Sequence, residues 1–134
     1  MVKRILIADD SFMIRRQVRL ILELDDTVEV CAEAIDGADA VQKVCECCPD
    51  LAILDVAMPK MNGLEATRKI KMLMPGLPVL LFTLHDSPEL EWESRRVGAD
   101  AILAKSDGSA KLSRVVHSLL RERPSVPVFL GHGF

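Results

Sequence analysis

Five side chains that could carry out phosphoryl transfer follow the ends of four short apolar runs in this sequence. Asp9 and Asp10 form an acidic pair after the first run, and Asp55 follows the second. Thr83 and Lys105 follow the third and the fourth. Apolar runs of this length, separated by helical patterns, are typical of buried parallel strands. Because ligands of an open α/β sheet bind beyond the carboxyl ends of its strands, we expect these five side chains at one edge.

Three carboxylates in one place need a compensating positive charge, because like charges at close range repel. A divalent cation or a nearby ammonium can supply this positive charge. Mg²⁺ prefers oxygen ligands and keeps several waters, so it suits one or two carboxylates plus a phosphate. Lys105 can supply the ammonium, and Asp55 is the candidate nucleophile for an aspartyl phosphate. Thr83 could donate a hydrogen bond to a phosphoryl oxygen only after transfer. In a protein with two conformations, that contact would favour the phosphorylated one.

The elements that must position these side chains alternate between strand and helix along the whole chain. Such alternation predicts a doubly wound parallel α/β sheet with helices on both faces. The predicted strands cover residues 5–8, 28–34, 51–54, 78–82 and 101–104. The predicted helices cover about residues 12–24, 38–47, 63–74, 88–97 and 109–122.

Composition narrows the class of protein. The chain has 134 residues, of which 49% are hydrophobic and 28% charged, as in a soluble globular domain. A formal net charge of −3 provides no field that would attract nucleic acid or an anionic membrane. No apolar run approaches the ~20 residues of a membrane helix, and no signal peptide is evident, so we expect a cytoplasmic protein. Of the four cysteines, Cys45 and Cys48 have the spacing of one half of a metal site, but no matching second pair exists, and we expect all four to be reduced.

Two motifs resemble the receiver domain of bacterial two-component response regulators. Residues 5–11 are similar to that family's first strand and acidic pair, and residues 54–63 are similar to its phosphoacceptor strand and following loop. Thr83 and Lys105 occupy its hydroxyl and lysine positions. The resemblance covers about residues 3–122 and implies a flavodoxin-like, five-stranded parallel sheet of order 2-1-3-4-5 with five helices.

The resemblance also suggests how the chain is divided. We assign residues 1–122 to the receiver domain and residues 123–134 to an apolar C-terminal tail or the start of a linker. The segment from Val126 to Leu130 is more apolar than a typical solvated linker. We therefore expect it to pack on the domain or on a neighbouring molecule.

The resemblance implies a role for each residue of the phosphoryl site. Asp55 would accept a phosphoryl group from a sensor histidine kinase or a phosphotransferase, and Thr83 and Lys105 would contact that group. Signalling would pass through the surface formed by the fourth helix, fifth strand and fifth helix, which could also form a homodimer. We expect this chain neither to bind nucleic acid directly nor to associate with membranes, and we expect no turnover of metabolites.

The implied cofactor is Mg²⁺. Asp10 would bind the ion directly, with Asp9 assisting through water. Asp55 would be the second carboxylate ligand, and the backbone carbonyl of Ala57 would complete the set of protein ligands.

Two departures from the family pattern favour an alternative, a pseudo-receiver that acts as a phosphorylation-independent interaction module. Ile102 stands where the family commonly has an aromatic switch residue, and Leu84 stands at a usually small position. The intact acidic trio and Lys105 argue against this alternative. A second rival, an aspartyl-phosphate phosphatase or phosphomutase, needs a general acid two residues past the nucleophile, where this chain has Ala57.

Three arginines on the first predicted helix have two interpretations. Arg15, Arg16 and Arg19 could form a docking surface for a kinase, or they could form a solvated helix face. His85, two residues after Thr83, could shape dephosphorylation by orienting water, or it could be an exposed loop residue.

Overall fold

The computed structural model describes residues 2–121 and 128–129 of the chain. In these residues one parallel sheet runs in the order β2-β1-β3-β4-β5-β6. Its strands are β1 Lys3–Ala8, β2 Val28–Ala34, β3 Leu51–Asp55, β4 Val79–Thr83, β5 Ala101–Ala104 and β6 Val128–Phe129. The helices are α1 Phe12–Leu22, α2 Gly37–Cys47, α3 Gly63–Leu73, α4 Pro88–Arg96 and α5 Ser109–Arg121. The predicted α/β class and the order 2-1-3-4-5 are confirmed.

The central strands are apolar throughout because helices cover both of their faces. Every residue of β3 and β4 is buried, and separate hydrophobic clusters lie on the two sides of the sheet. β2 lies at an edge of the sheet, and charged residues such as Glu29 and Glu33 interrupt its apolar pattern. Among the described residues, no helix is both long enough and apolar enough to cross a membrane.

Polar side chains fix the starts of four helices. In each case the residue before the helix accepts a hydrogen bond from a backbone N–H of the first turn, and such a cap contributes about 1 kcal/mol. These N-cap residues are Ser11, Asp36, Asn62 and Ser87. Each of these helices follows a strand of the parallel sheet, so its capped start lies at the carboxyl edge of that sheet.

A sixth strand extends the predicted sheet at β5. Val128 and Phe129 pair in parallel with Ala101 and Ile102. Sequence analysis did not identify this strand, because two residues are too few to show a period. The other residues of the apolar segment 126–130, which we expected to pack on the domain or a neighbour, lie outside the described residues.

Candidate functional site

The carboxyl ends of four parallel strands bring the candidate residues to one edge of the sheet. Asp9 follows β1, Asp55 ends β3, Thr83 ends β4, and Lys105 begins a short 3₁₀ turn directly after β5. Asp9, Asp10 and Asp55 each offer a carboxylate oxygen, and these oxygens all lie within 4.8 Å of one another. The arrangement follows from the strand order, because β1 and β3 are neighbours and β4 and β5 follow on the same side.

Lys105 bridges two of the three carboxylates. Its Nζ lies 2.8 Å from Oδ2 of Asp9 and 3.3 Å from Oδ1 of Asp55. All three side chains are at least nine-tenths buried, so the ion pairs are poorly screened by solvent. The ammonium is thus placed to hold together two acids that would otherwise repel each other.

Asp9 is the most constrained of the acids. Its Oδ1 accepts the Ser11 N–H at 2.9 Å, and its Oδ2 accepts Lys105. Its backbone N–H donates to the Ala34 carbonyl at 3.0 Å, and its own carbonyl accepts Nη1 of Arg15 at 2.8 Å. Both carboxylate oxygens of Asp9 therefore already have protein partners, whereas Asp10 is exposed.

Burial and neighbouring charges shift the pKa values of Asp55 and Lys105. Burial raises the pKa of Asp55, and the charge of Asp9 raises it further, against the opposing effect of Lys105. Burial would lower the pKa of Lys105, but the hydrogen bond and charge of Asp9, with the charge of Asp55, outweigh it and raise that pKa. Lys105 therefore stays an ammonium, while Asp55 pays an electrostatic cost for being ionised.

The donor set fits a small divalent cation. Three carboxylates and one ammonium leave two negative charges in a largely buried pocket. Carboxylate oxygens are the ligands that Mg²⁺ prefers. A divalent ion would balance the excess charge, with Asp10 and Asp55 as the acids best able to bind it directly.

The loop after Asp55 is held tightly against the strand. The N–H of Gly63 donates to the Val56 carbonyl at 2.8 Å, and a Cβ at Gly63 would lie 2.1 Å from the Asp55 carbonyl oxygen. Only glycine permits this approach of α3 to the candidate nucleophile. Ala57 is exposed, and its backbone forms a hydrogen bond with the Asp55 side chain. The predicted role of the Ala57 carbonyl remains a prediction.

The Thr83 hydroxyl has its hydrogen-bond partner in the loop that follows β4. Its hydroxyl donates to the His85 carbonyl at 3.3 Å, longer than the usual 2.5–3.0 Å of an O–H···O bond. His85 is exposed, and the Leu84 side chain between them is 66% exposed. Ile102, where the family has its aromatic switch, is fully buried in the core.

A charged network beside Asp9 was missed by sequence analysis. Arg15 and Arg19 both bind the carboxylate of Glu33 on β2, while Arg16 is exposed. The solvated-face interpretation is therefore wrong for Arg15, whose side chain is only 12% exposed. The only sequence signal was the i, i+4 spacing of the two arginines.

Comparisons with known proteins agree on one family. The sequence model described as "Response regulator receiver domain" matches residues 5–117. A protein-glutamate methylesterase/protein-glutamine glutaminase of Carboxydothermus hydrogenoformans is 36% identical over 92% of the chain and 36% of its own length. The oxygen regulatory protein NreC of Staphylococcus haemolyticus is 35% identical over 88% of the chain and 55% of its own length. The chain thus spans between about a third and just over half of these two curated relatives.

A solved structure gives the same result. The CheX–CheY–BeF3–Mg complex of Borrelia burgdorferi contains a chain with a TM-score of 0.83 and 26% sequence identity, covering 87% of this chain and 88% of that one. The fold, the acidic cluster and the matched sequence therefore point to one family.

Proposed function

The chain belongs to the response regulator receiver domain family, and from that premise we propose that it accepts a phosphoryl group on Asp55 from a histidine kinase or phosphotransferase. Transfer requires Mg²⁺, takes place in the cytoplasm, and changes the surface through which the domain signals. The observation that carries this proposal is the Lys105 ammonium between Asp9 and Asp55, with Asp10 beside them. A pseudo-receiver would have no need to keep this costly charge cluster.

Asp10, Asp55 and the Ala57 carbonyl would hold the Mg²⁺, and Asp9 would assist through water. Support comes from Asp9, whose two oxygens already accept Ser11 and Lys105. The structural neighbour from Borrelia burgdorferi is named as a Mg complex, which agrees with this assignment. When bound, the ion supplies positive charge that neutralises the oxygens of the phosphoryl group.

Asp55 would act as the nucleophile. One of its carboxylate oxygens bonds to phosphorus while the bond from phosphorus to the donor imidazole nitrogen breaks, and the product is an aspartyl phosphate. Lys105, 3.3 Å from Oδ1 of Asp55, is close enough to stabilise the charge on the transferred group. The buried position of Asp55 limits the access of bulk water to the product.

Thr83 would convert phosphorylation into a structural change. Its long hydrogen bond to the His85 carbonyl is weak and can be exchanged for a stronger, charge-assisted one to a phosphoryl oxygen. Because that contact exists only after transfer, it favours the phosphorylated conformation of the β4–α4 loop. The Ile102 side chain has no hydroxyl that could change hydrogen-bond partners. The conformational switch would therefore depend on Thr83 and on repacking of the Ile102 side chain.

The donor would dock on α1. Phe12, Met13 and Leu20 on this helix are each about 60% exposed, and Arg16 is exposed beside them. Exposed apolar side chains grouped on one face mark an interaction surface. Since α1 begins directly after the acidic pair, a donor bound there would lie next to Asp55.

The output surface would be formed by α4, β5 and α5, with a possible homodimer through the same face. Trp92 on α4 is 61% exposed, and Arg96 lies over its ring at 5.2 Å. We propose residues 1–122 as the receiver domain and residues 123–134 as a tail or start of a linker. The activities named for the longer relatives are not assigned to this chain, which we propose to be a phosphoacceptor rather than a metabolic enzyme.

The test is incubation with acetyl phosphate and Mg²⁺, followed by intact-mass spectrometry. We expect wild type to gain the mass of one phosphoryl group, and we expect Asp55→Asn, or wild type in EDTA, to gain none. Asp26→Asn is the matched control, because it removes one negative charge from an exposed turn outside the site. A wild type that gains no mass would favour the pseudo-receiver.

A further inference from the structure

Arg15 connects helix α1 to the backbone of the acidic pair. Its Nη1 donates to the Asp9 carbonyl at 2.8 Å, and its Nε donates to Oε1 of Glu33 at 2.8 Å. Its guanidinium also lies over the Phe12 ring, 5.7 Å from the ring centre. Three different contacts therefore hold one guanidinium in one orientation, as suits the planar, multiply donating arginine side chain.

Glu33 fixes this arrangement from the neighbouring strand. Its second carboxylate oxygen binds Arg19 at 2.8 Å, and its backbone carbonyl accepts Nζ of Lys43 at 2.6 Å. Burial raises the pKa of Glu33, but the hydrogen bonds and charges of the two arginines outweigh it and lower that pKa overall. Glu33 is therefore ionised at neutral pH and compensates the charge of Arg15.

We infer that Arg15 is a positioning residue for the metal site, which fixes the peptide between Asp9 and Asp10 so that Asp10 faces the ion. The peptide group is planar, so anchoring the Asp9 carbonyl also sets the direction of the Asp10 N–H and the start of its side chain. Asp10 is exposed, so packing contributes little to its orientation. This inference rests on the proposed function, because it assumes that Asp10 binds Mg²⁺.

Removing Arg15 would have two effects on Mg²⁺ affinity with opposite signs. Loss of a nearby positive charge would by itself tighten the binding of a cation. Loss of the hydrogen bond to Asp9 would loosen the peptide that presents Asp10, and groups that orient metal ligands typically change affinity 10–100-fold when removed. The sign of the change therefore distinguishes a positioning role from a purely electrostatic one.

Arg19 provides the matched control. It binds the same Glu33 carboxylate from the same helix, and it also pairs with Glu23. Arg19→Gln therefore removes the same charge and both Arg19 contacts to Glu33 without touching the acidic pair. Arg15→Lys serves as the conservative variant. It keeps the positive charge, but a lysine ammonium lacks the planar array of N–H donors with which the guanidinium binds Asp9 and Glu33 together.

The experiment measures the Kd for Mg²⁺ by isothermal titration calorimetry and the hydrogen exchange of the Asp10 amide without metal. We expect Arg15→Gln to raise the Kd roughly tenfold and to speed that exchange. Arg15→Lys should give an intermediate Kd, and Arg19→Gln should stay within about twofold of wild type. If Arg15→Gln does not fold, the comparison of Arg15→Lys with Arg19→Gln decides.

Three results have distinct meanings. An unchanged or tighter Kd in the Arg15 variants would overturn the positioning role. Equal weakening in Arg19→Gln would also overturn it, since the effect would then pass through Glu33 alone. A wild type that binds no Mg²⁺ would instead refute the proposed function.

Discussion

Replacing Asp55 by asparagine should make the metal-free protein more stable while abolishing its function. At an effective dielectric constant of about 20, the Lys105 ammonium 3.3 Å away attracts the Asp55 carboxylate by about 5 kcal/mol. Each of the other two carboxylates, within 4.8 Å, repels it by about 3.5 kcal/mol or more. Repulsion therefore exceeds attraction by about 2 kcal/mol, and burial adds a further cost. Because Asp10 is exposed and partly screened by solvent, we expect a gain of about 1–2 kcal/mol in the unfolding free energy.

Lys105 does not lose its only partner in this variant. It keeps the hydrogen bond to Asp9 at 2.8 Å, so no buried cation is left unpaired. The raised pKa of Asp55 leads to the same expectation. Because the folded state binds a proton on this group more readily than the unfolded state does, the ionised carboxylate lowers the stability of the folded protein. The stability advantage of Asp55→Asn should therefore shrink as the pH falls and Asp55 in the wild type becomes protonated.

The assay is urea unfolding followed by far-UV circular dichroism, in EDTA and in saturating Mg²⁺. At 100 times its Kd, Mg²⁺ should stabilise wild type by about 2.7 kcal/mol, whereas Asp55→Asn, which offers a neutral amide oxygen in place of a carboxylate, should gain much less. The order of stability should thus reverse between the two buffers. Asp26→Asn should differ from wild type by less than about 0.5 kcal/mol in both. An Asp55→Asn protein that is less stable than wild type in EDTA, or that gains equally from Mg²⁺, would refute this reasoning.

Three further predictions concern the loop, the pH dependence and the tail. Gly63→Ala should lower the unfolding free energy by about 1–3 kcal/mol and slow phosphorylation of Asp55, because the new Cβ would lie 2.1 Å from the Asp55 carbonyl oxygen. An unfolding free energy in urea and a phosphorylation rate by mass spectrometry that both match wild type would contradict this. Hydrogen bonds from the Thr27 side chain and backbone lower the pKa of Asp25 to about 2, so its contribution to stability is complete above about pH 4 and is lost as the pH falls through 2. Asp25→Asn should therefore destabilise the protein much more at pH 6 than at pH 2, and an equal loss at both pH values would count against the assignment. Deleting residues 124–134 should uncover the edge of β5, which β6 covers, and should lower the midpoint of urea unfolding or promote self-association. A variant that stays monomeric and unfolds at an unchanged midpoint would exclude this role for the tail.

The fold and the convergence of the acids were predictable because both depend on local patterns. An apolar run that ends in Asp9 or Asp55 specifies a buried strand and also the residue delivered at its carboxyl end. The cap signals are equally local, as Ser87 before Pro88 illustrates. Parallel strands then bring these ends together whatever the details of packing.

Other features depended on contacts between distant parts of the chain. Arg15 and Glu33 are 18 residues apart in the sequence, and only the pairing of β2 with β1 makes them neighbours. Glu91, one of several acids near the start of α4, is only 1% exposed, whereas Glu89 and Glu93 are exposed, and no local pattern separates the three. The hydrogen bond of Thr83 to the His85 carbonyl depends on loop geometry that no sequence period reports.

Anomalous diffraction from crystals grown with Mn²⁺, which replaces Mg²⁺ at oxygen-rich sites, tests the central claim most directly. We predict one strong anomalous peak within coordination distance of the Asp10 and Asp55 carboxylates and the Ala57 carbonyl oxygen. A peak elsewhere on the protein, or carboxylates without metal at saturating Mn²⁺, would contradict the assignment of this cluster as the metal-dependent phosphoacceptor site.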